Sequence, residues 1–190
     1  MFHSKDITMM ERALILARKS LERGEFPVGC VIVRGSEVLG EGHRTGSKGQ
    51  AANELDHAEI MALRACYEKI NEWPGRLGPL TCYTTLEPCL MCLGALLING
   101  VRRIVFGYED VMGGACGIDL SKKITWMPLD EMPKGLTMGY IYDGNEIEFV
   151  GGLLRERCLE LFIEFYKMPE SSYLDGTLLK EYTLRQAKDV

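Results

Sequence analysis

Four residues stand at spacings suited to hydrolytic metal chemistry: His57 and Glu59 in the run His57-Ala58-Glu59, and Cys89 and Cys92 in Pro88-Cys89-Leu90-Met91-Cys92. Two cysteines three apart in the first turn of a helix place their sulfurs on nearly one face, where both can share a tetrahedral ion with an imidazole. Thiolate sulfur with histidine nitrogen is a zinc donor set, and three protein ligands leave the fourth position open, which separates catalytic from structural zinc. An open position admits water whose pKa the metal brings near neutrality. His57 and Glu59 are about 200° apart around a helix axis, so they share a site only from a first turn, where side chains lean past the helix end. A carboxylate so placed can take a proton from water, pass it to a ring nitrogen and protonate a departing amine, which completes a hydrolytic deamination. Unpaired amides at the two helix starts favour thiolate at Cys89 and Cys92.

Taken alone, a Cys-x-x-Cys pair also serves redox chemistry or structural zinc. The upstream His-x-Glu and the proline before Cys89 argue for the catalytic arrangement. A structural site needs a fourth ligand, for which Cys66 and Cys82 are the nearby candidates; their mid-helix and strand positions suit small core residues better. A non-catalytic, zinc-stabilised RNA-binding protein is the competing reading from another class, and Glu59 and the absent fourth ligand speak against it.

Helices and strands must carry these residues to one point. Residues 6–22 have helical periodicity through Met10, Ala13, Leu14, Ala17 and Leu21, with Thr8 and Glu11 as a capping box and Gly24 as the stop. Residues 29–34 and 37–42 are β-prone runs around Gly35-Ser36 and read as a hairpin. A polar loop over 43–56 leads to a helix over 57–69; residues 73–79 form a connection, 80–85 a strand, and Pro88 opens a helix to about Asn99. A buried strand over 103–107 is followed by a glycine-rich loop over 109–117. Residues 118–139 are mixed, 140–150 hold a last strand broken at Asp143-Gly144-Asn145, and 152–167 form a helix. Leu178, Leu179 and Tyr182 give the tail the spacing of a short docked helix. The division expected is a zinc-dependent domain over 1–168 and a tail over 169–190. Alternating helices and strands imply an α/β fold of three layers, α/β/α, around a central sheet.

At 190 residues, with 46% apolar and 26% charged residues, the chain suits one domain with no long disordered region. Its apolar runs fall far short of the ~20 residues of a membrane span, and the start has no apolar signal stretch. No membrane contact and a cytoplasmic location are the expectations. Seven scattered cysteines, an odd number, suit reduced thiols or metal ligands rather than a disulfide framework. A net charge of −5 argues mildly against affinity built from many phosphate contacts. His3 and Trp73 receive no functional role.

The residues around these motifs resemble the cytidine deaminase superfamily, and within it the bacterial tRNA adenosine deaminase branch. The resemblance rests on Pro27-Val28-Gly29, on His57-Ala58-Glu59-Ile60-Met61-Ala62-Leu63-Arg64, on Thr85-Leu86-Glu87-Pro88-Cys89 with Met91-Cys92 and Gly94-Ala95, and on Val105-Phe106-Gly107 with Asp110 and Gly113-Gly114. It implies a mixed five-stranded sheet between helices, one Zn2+ per chain on His57, Cys89 and Cys92, Glu59 as the proton carrier, and a homodimer whose partner helps wall the site. It also implies substrate contacts at Val28, Arg44, Ala58, Glu87, Pro88 and Asp110. Adenosine in tRNA, converted to inosine with release of ammonia, is the leading substrate expectation; a free nucleobase, nucleoside or nucleotide such as guanine or cytosine is the alternative. Where the family usually carries Trp-Asn after the second strand, this chain has His43-Arg44, and it lacks a lysine- and arginine-rich tail. Arg44 could contact a carbonyl or phosphate of the substrate, or be a solvated loop residue. Asp110 could bond a ribose hydroxyl, as the resemblance implies, or cap the glycine-rich loop.

Overall fold

The computed structural model describes residues 2–50, 52–74, 78–119, 147–169 and 171–187. Helix α1 (Ser4–Glu22) is followed by strands β1 (Gly29–Arg34) and β2 (Glu37–His43), helix α2 (Ala58–Ile70), strand β3 (Leu80–Leu86), helix α3 (Leu90–Ile98), strands β4 (Val101–Tyr108) and β5 (Glu148–Val150), and helices α4 (Arg155–Lys167) and α5 (Leu178–Gln186). The strands form one mixed sheet in the order β2-β1-β3-β4-β5, antiparallel across β2-β1-β3 and parallel across β3-β4-β5.

Directly paired residues of neighbouring strands share a sheet face, and the pairs Gly29↔His43 and Cys30↔Gly42 separate the two faces. A Cβ on Gly29 would lie 2.1 Å from the Ala13 carbonyl of α1, whereas one on Gly42 would lie 2.2 Å from the Ala58 carbonyl of α2. Helices α1 and α2 therefore cover opposite faces, with α4 against α1 and α3 against α2. The expected α/β/α sandwich with its five-stranded mixed sheet is what forms. Core residues such as Val31, Ile32, Ile104, Leu96 and Phe162 are almost wholly removed from water on both sides of the sheet.

Element ends differ from the expectations in instructive ways. Helix α1 begins two residues early because His3 is the N-cap and its backbone N–H donates to Asp6 Oδ2 at 3.0 Å; the expected capping pair, Thr8 and Glu11, lies inside the helix, and the Thr8 hydroxyl donates to the Ser4 carbonyl. Helix α4 starts at Arg155 rather than at residue 152, because Gly152 and Leu154 both take left-handed backbone conformations. Of the strand expected over 140–150, β5 is the described end; residues 140–146, like most of 118–139, lie outside the described residues. In the tail, Leu179 and Thr183 of α5 are buried, and the Thr183 and Tyr108 hydroxyls are 3.1 Å apart.

Asp6 is more than a cap. Burial alone would raise its pKa, but hydrogen bonds from Arg103, the His3 N–H and the Tyr83 hydroxyl outweigh that and hold it at about 2. A depressed folded-state pKa contributes stability above the unfolded value of 3.8 and loses it as pH falls toward 2. Asp6→Asn is expected to lower the unfolding free energy by about 2 kcal/mol near pH 7, with the gap to wild type closing as pH drops through 4 toward 2. Urea unfolding at a series of pH values reads this directly.

Candidate metal centre and active site

The carboxyl ends of β3 and β4 and the amino end of β1 meet at one edge of the sheet, where strand direction switches between β1 and β3, the usual position for a binding crevice in open α/β sheets. Two helices point their N-termini there. Sequence spacing placed His57 and Cys89 in first turns; each is in fact the N-cap residue, His57 of α2 and Cys89 of α3, with extended backbone that carries its side chain beyond the helix. Glu59 and Cys92 follow in the first turns. Close packing fixes the α2 end, because Gly40 and Gly42 of β2 leave no room between strand and helix for a side chain.

The ligand atoms of His57, Cys89 and Cys92 all lie within 4.8 Å of one another. Zinc with sulfur at ~2.3 Å and imidazole nitrogen at ~2.0–2.1 Å has S···N tetrahedral edges of about 3.5 Å, and the sulfurs of Cys89 and Cys92 stand 3.7 and 3.5 Å from His57 Nδ1. Hydrogen bonding with Cys92 and with His57 brings the Cys89 thiol down to about 4 against the opposing effect of burial. Cys92, hydrogen-bonded to Cys89 and buried, is pushed up. His57 is raised chiefly by its hydrogen bond to Cys89. One cluster thus shares its protons among three atoms set at the spacing a cation would need, so the residues fit zinc. No further His, Cys or carboxylate joins this group among the described residues. Cys66 and Cys82 are core residues, and Cys82 lies 3.5 Å from Cys30.

Glu59 is 3% exposed, and burial pushes its carboxyl up. The Thr84 hydroxyl donates to its Oε1 at 3.1 Å and the Cys92 thiol to its Oε2 at 3.4 Å, so it borders the ligand cluster without belonging to it. It also bounds a cavity of about 200 Å³ with His57, Ala58, Val28, Arg44 and Asp110.

The other sequence-derived contacts divide. Glu87 bounds the cavity too, yet its carboxylate accepts from the Asp110 and Cys116 backbone amides. Asp110 Oδ1 accepts from the amides of Met112 and Gly113, the loop-capping arrangement, while the residue still borders the cavity. Pro88 is buried and does not border it; its carbonyl accepts from Ala115, which stitches the glycine-rich loop to the metal segment. Arg44 is 2% exposed, which removes the solvated-loop reading. Its Nη2 donates to the Asn53 carbonyl at 2.8 Å and to Glu54 at 3.0 Å, and its backbone is held by Val28 and by the Ser20 hydroxyl.

Sequence reasoning missed Glu54, Tyr173 and Thr84. Glu54 faces His57 Nε2 at 3.5 Å and accepts from the Tyr173 hydroxyl at 2.9 Å. Tyr173 and Leu174 come from the tail to close the cavity. The only local signal for Glu54 was a carboxylate three residues before a candidate metal histidine, a common partner for a ligating imidazole; for Tyr173 there was none.

The family model described as the cytidine and deoxycytidylate deaminase zinc-binding region matches residues 3–108. The chain is 30% identical over 164 residues to the tRNA-specific adenosine deaminase of Bacillus subtilis (strain 168), covering 86% of this chain and 90% of that one. It is 30% identical over 162 residues to tRNA-specific adenosine deaminase 2 of Xenopus laevis, covering 83% and 84%. Among solved structures, one from a study of A-to-I editing by tRNA:A34 deaminases at the wobble position superposes with a TM-score of 0.61 at 27% identity, covering 81% of this chain and 98% of that one. The guanine deaminase from Nitrosomonas europaea shares the fold, with a TM-score of 0.60 at 21% identity over 84% and 83% of the two chains. With the three ligands converging on two helix caps and the family match running through both of them, the chain belongs to the cytidine and deoxycytidylate deaminase zinc-binding family.

Proposed function

We propose that this chain is a zinc-dependent hydrolytic deaminase of an aminated nucleobase, and that Glu59 is its general acid and base. The observation that carries this is the position of the Glu59 carboxylate, in hydrogen-bond contact with one ligand and open to the cavity, beside a ligand set of three. Zinc bound there would supply Lewis acidity that brings a water molecule's pKa near neutrality. Glu59 takes one proton from the water and delivers it to a ring nitrogen as the oxygen adds to the amino-bearing carbon, then carries the second proton from that oxygen to the amine as the C–N bond breaks, so that water and substrate leave as the oxo ring and ammonia. Thr84 holds the carboxylate in place throughout.

Adenosine in tRNA is the substrate that the named activities of the relatives support. Incubation with transcribed tRNA is expected to release ammonia and raise the mass of the edited nucleoside by ~1 Da; no change in any RNA, with turnover of a free base or nucleoside, would transfer the assignment to the small ring. The His43-Arg44 departure and the net charge of −5 favour that second reading. No helix among the described residues is long and apolar enough to cross a membrane, and a cytoplasmic place suits a protein whose seven cysteines form no disulfide.

A homodimer is part of the same proposal. Helix α3 is apolar around its whole circumference: Leu93, Leu96 and Leu97 face the core, while Leu90, Met91 and Ile98 are 64%, 36% and 41% exposed. Trp73 and Tyr67 extend this surface, bonding to the Ile98 carbonyl and the Asn99 side chain at its end. A helix apolar on all sides is normally covered. Sedimentation is expected to give twice the 21.3 kDa chain mass, falling to one chain in the double variant Leu90→Glu, Ile98→Glu.

A further inference from the structure

One carboxylate oxygen outside the ligand set collects three side chains. Glu54 Oε2 accepts from Arg44 Nη2 at 3.0 Å and from the Tyr173 hydroxyl at 2.9 Å, and it stands 3.5 Å from His57 Nε2. The Glu54 side chain is 67% exposed, and a carboxylate so open to water ordinarily swings freely unless something holds it. Here both donors are themselves fixed. Arg44 is buried and also tied to the Asn53 carbonyl, while the Tyr173 ring packs at 5.2 Å on Phe26, which is set against Phe162 and Phe165 of α4.

The orientation of His57 gives this oxygen its use. Nδ1 is the nitrogen turned toward the sulfurs of Cys89 and Cys92. A neutral imidazole that offers Nδ1 to a metal carries its one proton on Nε2, the nitrogen that faces Glu54. An acceptor at that far nitrogen fixes the ring's tautomer and orientation and makes the ring a better donor to the ion. Resting on the zinc site of the deaminase reading above, we infer that Glu54 is a positioning residue for the metal-holding imidazole, and that the Tyr173 hydroxyl, brought from 119 residues away in the tail, holds Glu54 in place. The tail is then an outer support of the metal site, joined to it through a single oxygen.

Competition for zinc with a chromophoric chelator, on the full chain at fixed pH, is the test. Glu54→Ala is expected to raise the zinc Kd by ~10–100-fold, and Tyr173→Phe by about 10-fold, the low end of that range. In the Glu54→Ala background, Tyr173→Phe should have no further effect, because the hydroxyl acts through the carboxylate. Urea unfolding of the metal-free variants checks that each is folded where its affinity is measured. If loss of its partner at Arg44 unfolds Glu54→Ala, Tyr173→Phe, which removes only a hydroxyl, decides the matter by itself. The His57 Nε2 proton should be visible by 15N-edited NMR in the zinc-loaded wild type and lost to exchange with water in Glu54→Ala, a change that a packing role for Glu54 would not make. The inference is overturned if either single variant keeps the wild-type Kd, if Tyr173→Phe weakens zinc equally with and without Glu54, or if the Nε2 proton is indifferent to Glu54. A wild type that binds no zinc removes this inference and the deaminase reading together. Wild-type turnover with an unmoved Kd in Glu54→Ala sinks the inference alone; the expected shifts in a wild type that deaminates no ring sink only the deaminase reading.

Discussion

Glu59→Gln is expected to bind zinc, fold with undiminished stability, and lose about 1,000-fold or more in kcat on whichever ring the wild type deaminates. The amide has nearly the same volume and can still accept from the Thr84 hydroxyl that holds Oε1. It cannot take a proton from water, so the shuttle stops at its first step. Because Glu59 is buried and its pKa is pushed up by that burial, a neutral isostere removes a charge the fold pays to hold. Zinc content, urea unfolding and steady-state kinetics together separate this outcome from simple misfolding. A variant with near wild-type kcat would remove Glu59 from the chemistry.

The second large effect concerns the metal. Cys92→Ser is expected to abolish detectable turnover and the bound zinc together, since a hydroxyl is a poor substitute for thiolate toward a borderline-soft ion. Stability should follow. A metal that binds only the folded state stabilises it in proportion to the logarithm of its concentration over Kd, about 4 kcal/mol at 1,000 times Kd. Chelation should therefore lower the unfolding free energy of the wild type by about that amount and leave Cys92→Ser unchanged. Thermal melts with and without zinc read both arms, and a metal-independent wild type would contradict the site. The helices themselves should survive, because Leu93, Leu96 and Leu97 anchor α3 without help from the ion.

Much of the fold was legible because its signals are local. The helical repeat of Met10, Ala13, Leu14 and Ala17 marks α1, and Gly35-Ser36 between two β-prone runs marks the hairpin; both elements form where the pattern lies. The zinc ligands were legible for the same reason, each pair lying within a few residues of a helix start. What the pattern could not decide is which residue caps. A helix end depends on backbone angles and amide partners, so His3 with Asp6 displaces the more conventional Thr8 with Glu11. The outer wall of the cavity was hidden for a different reason. The Tyr173 hydroxyl meets Glu54 across 119 residues, and no short-range periodicity encodes that approach. Arg44 shows the limit most clearly: a loop arginine reads equally as a pocket residue or as a solvated one until the packing of its neighbours is known.

The connection from β2 to α2 is pinched at its base, where the Thr45 amide donates to the Asp56 carbonyl at 3.3 Å. Arg44 stands at one foot of this arch and His57 at the other. An arch tied at both feet tolerates changes of length and composition between them, since each doubling of a loop costs only about 0.6 kcal/mol in closure. Selection can then rewrite the exposed stretch over 48–50 while Glu54, which faces the metal-holding imidazole, stays in place. The same property makes that stretch the place to graft foreign sequence onto an old catalyst.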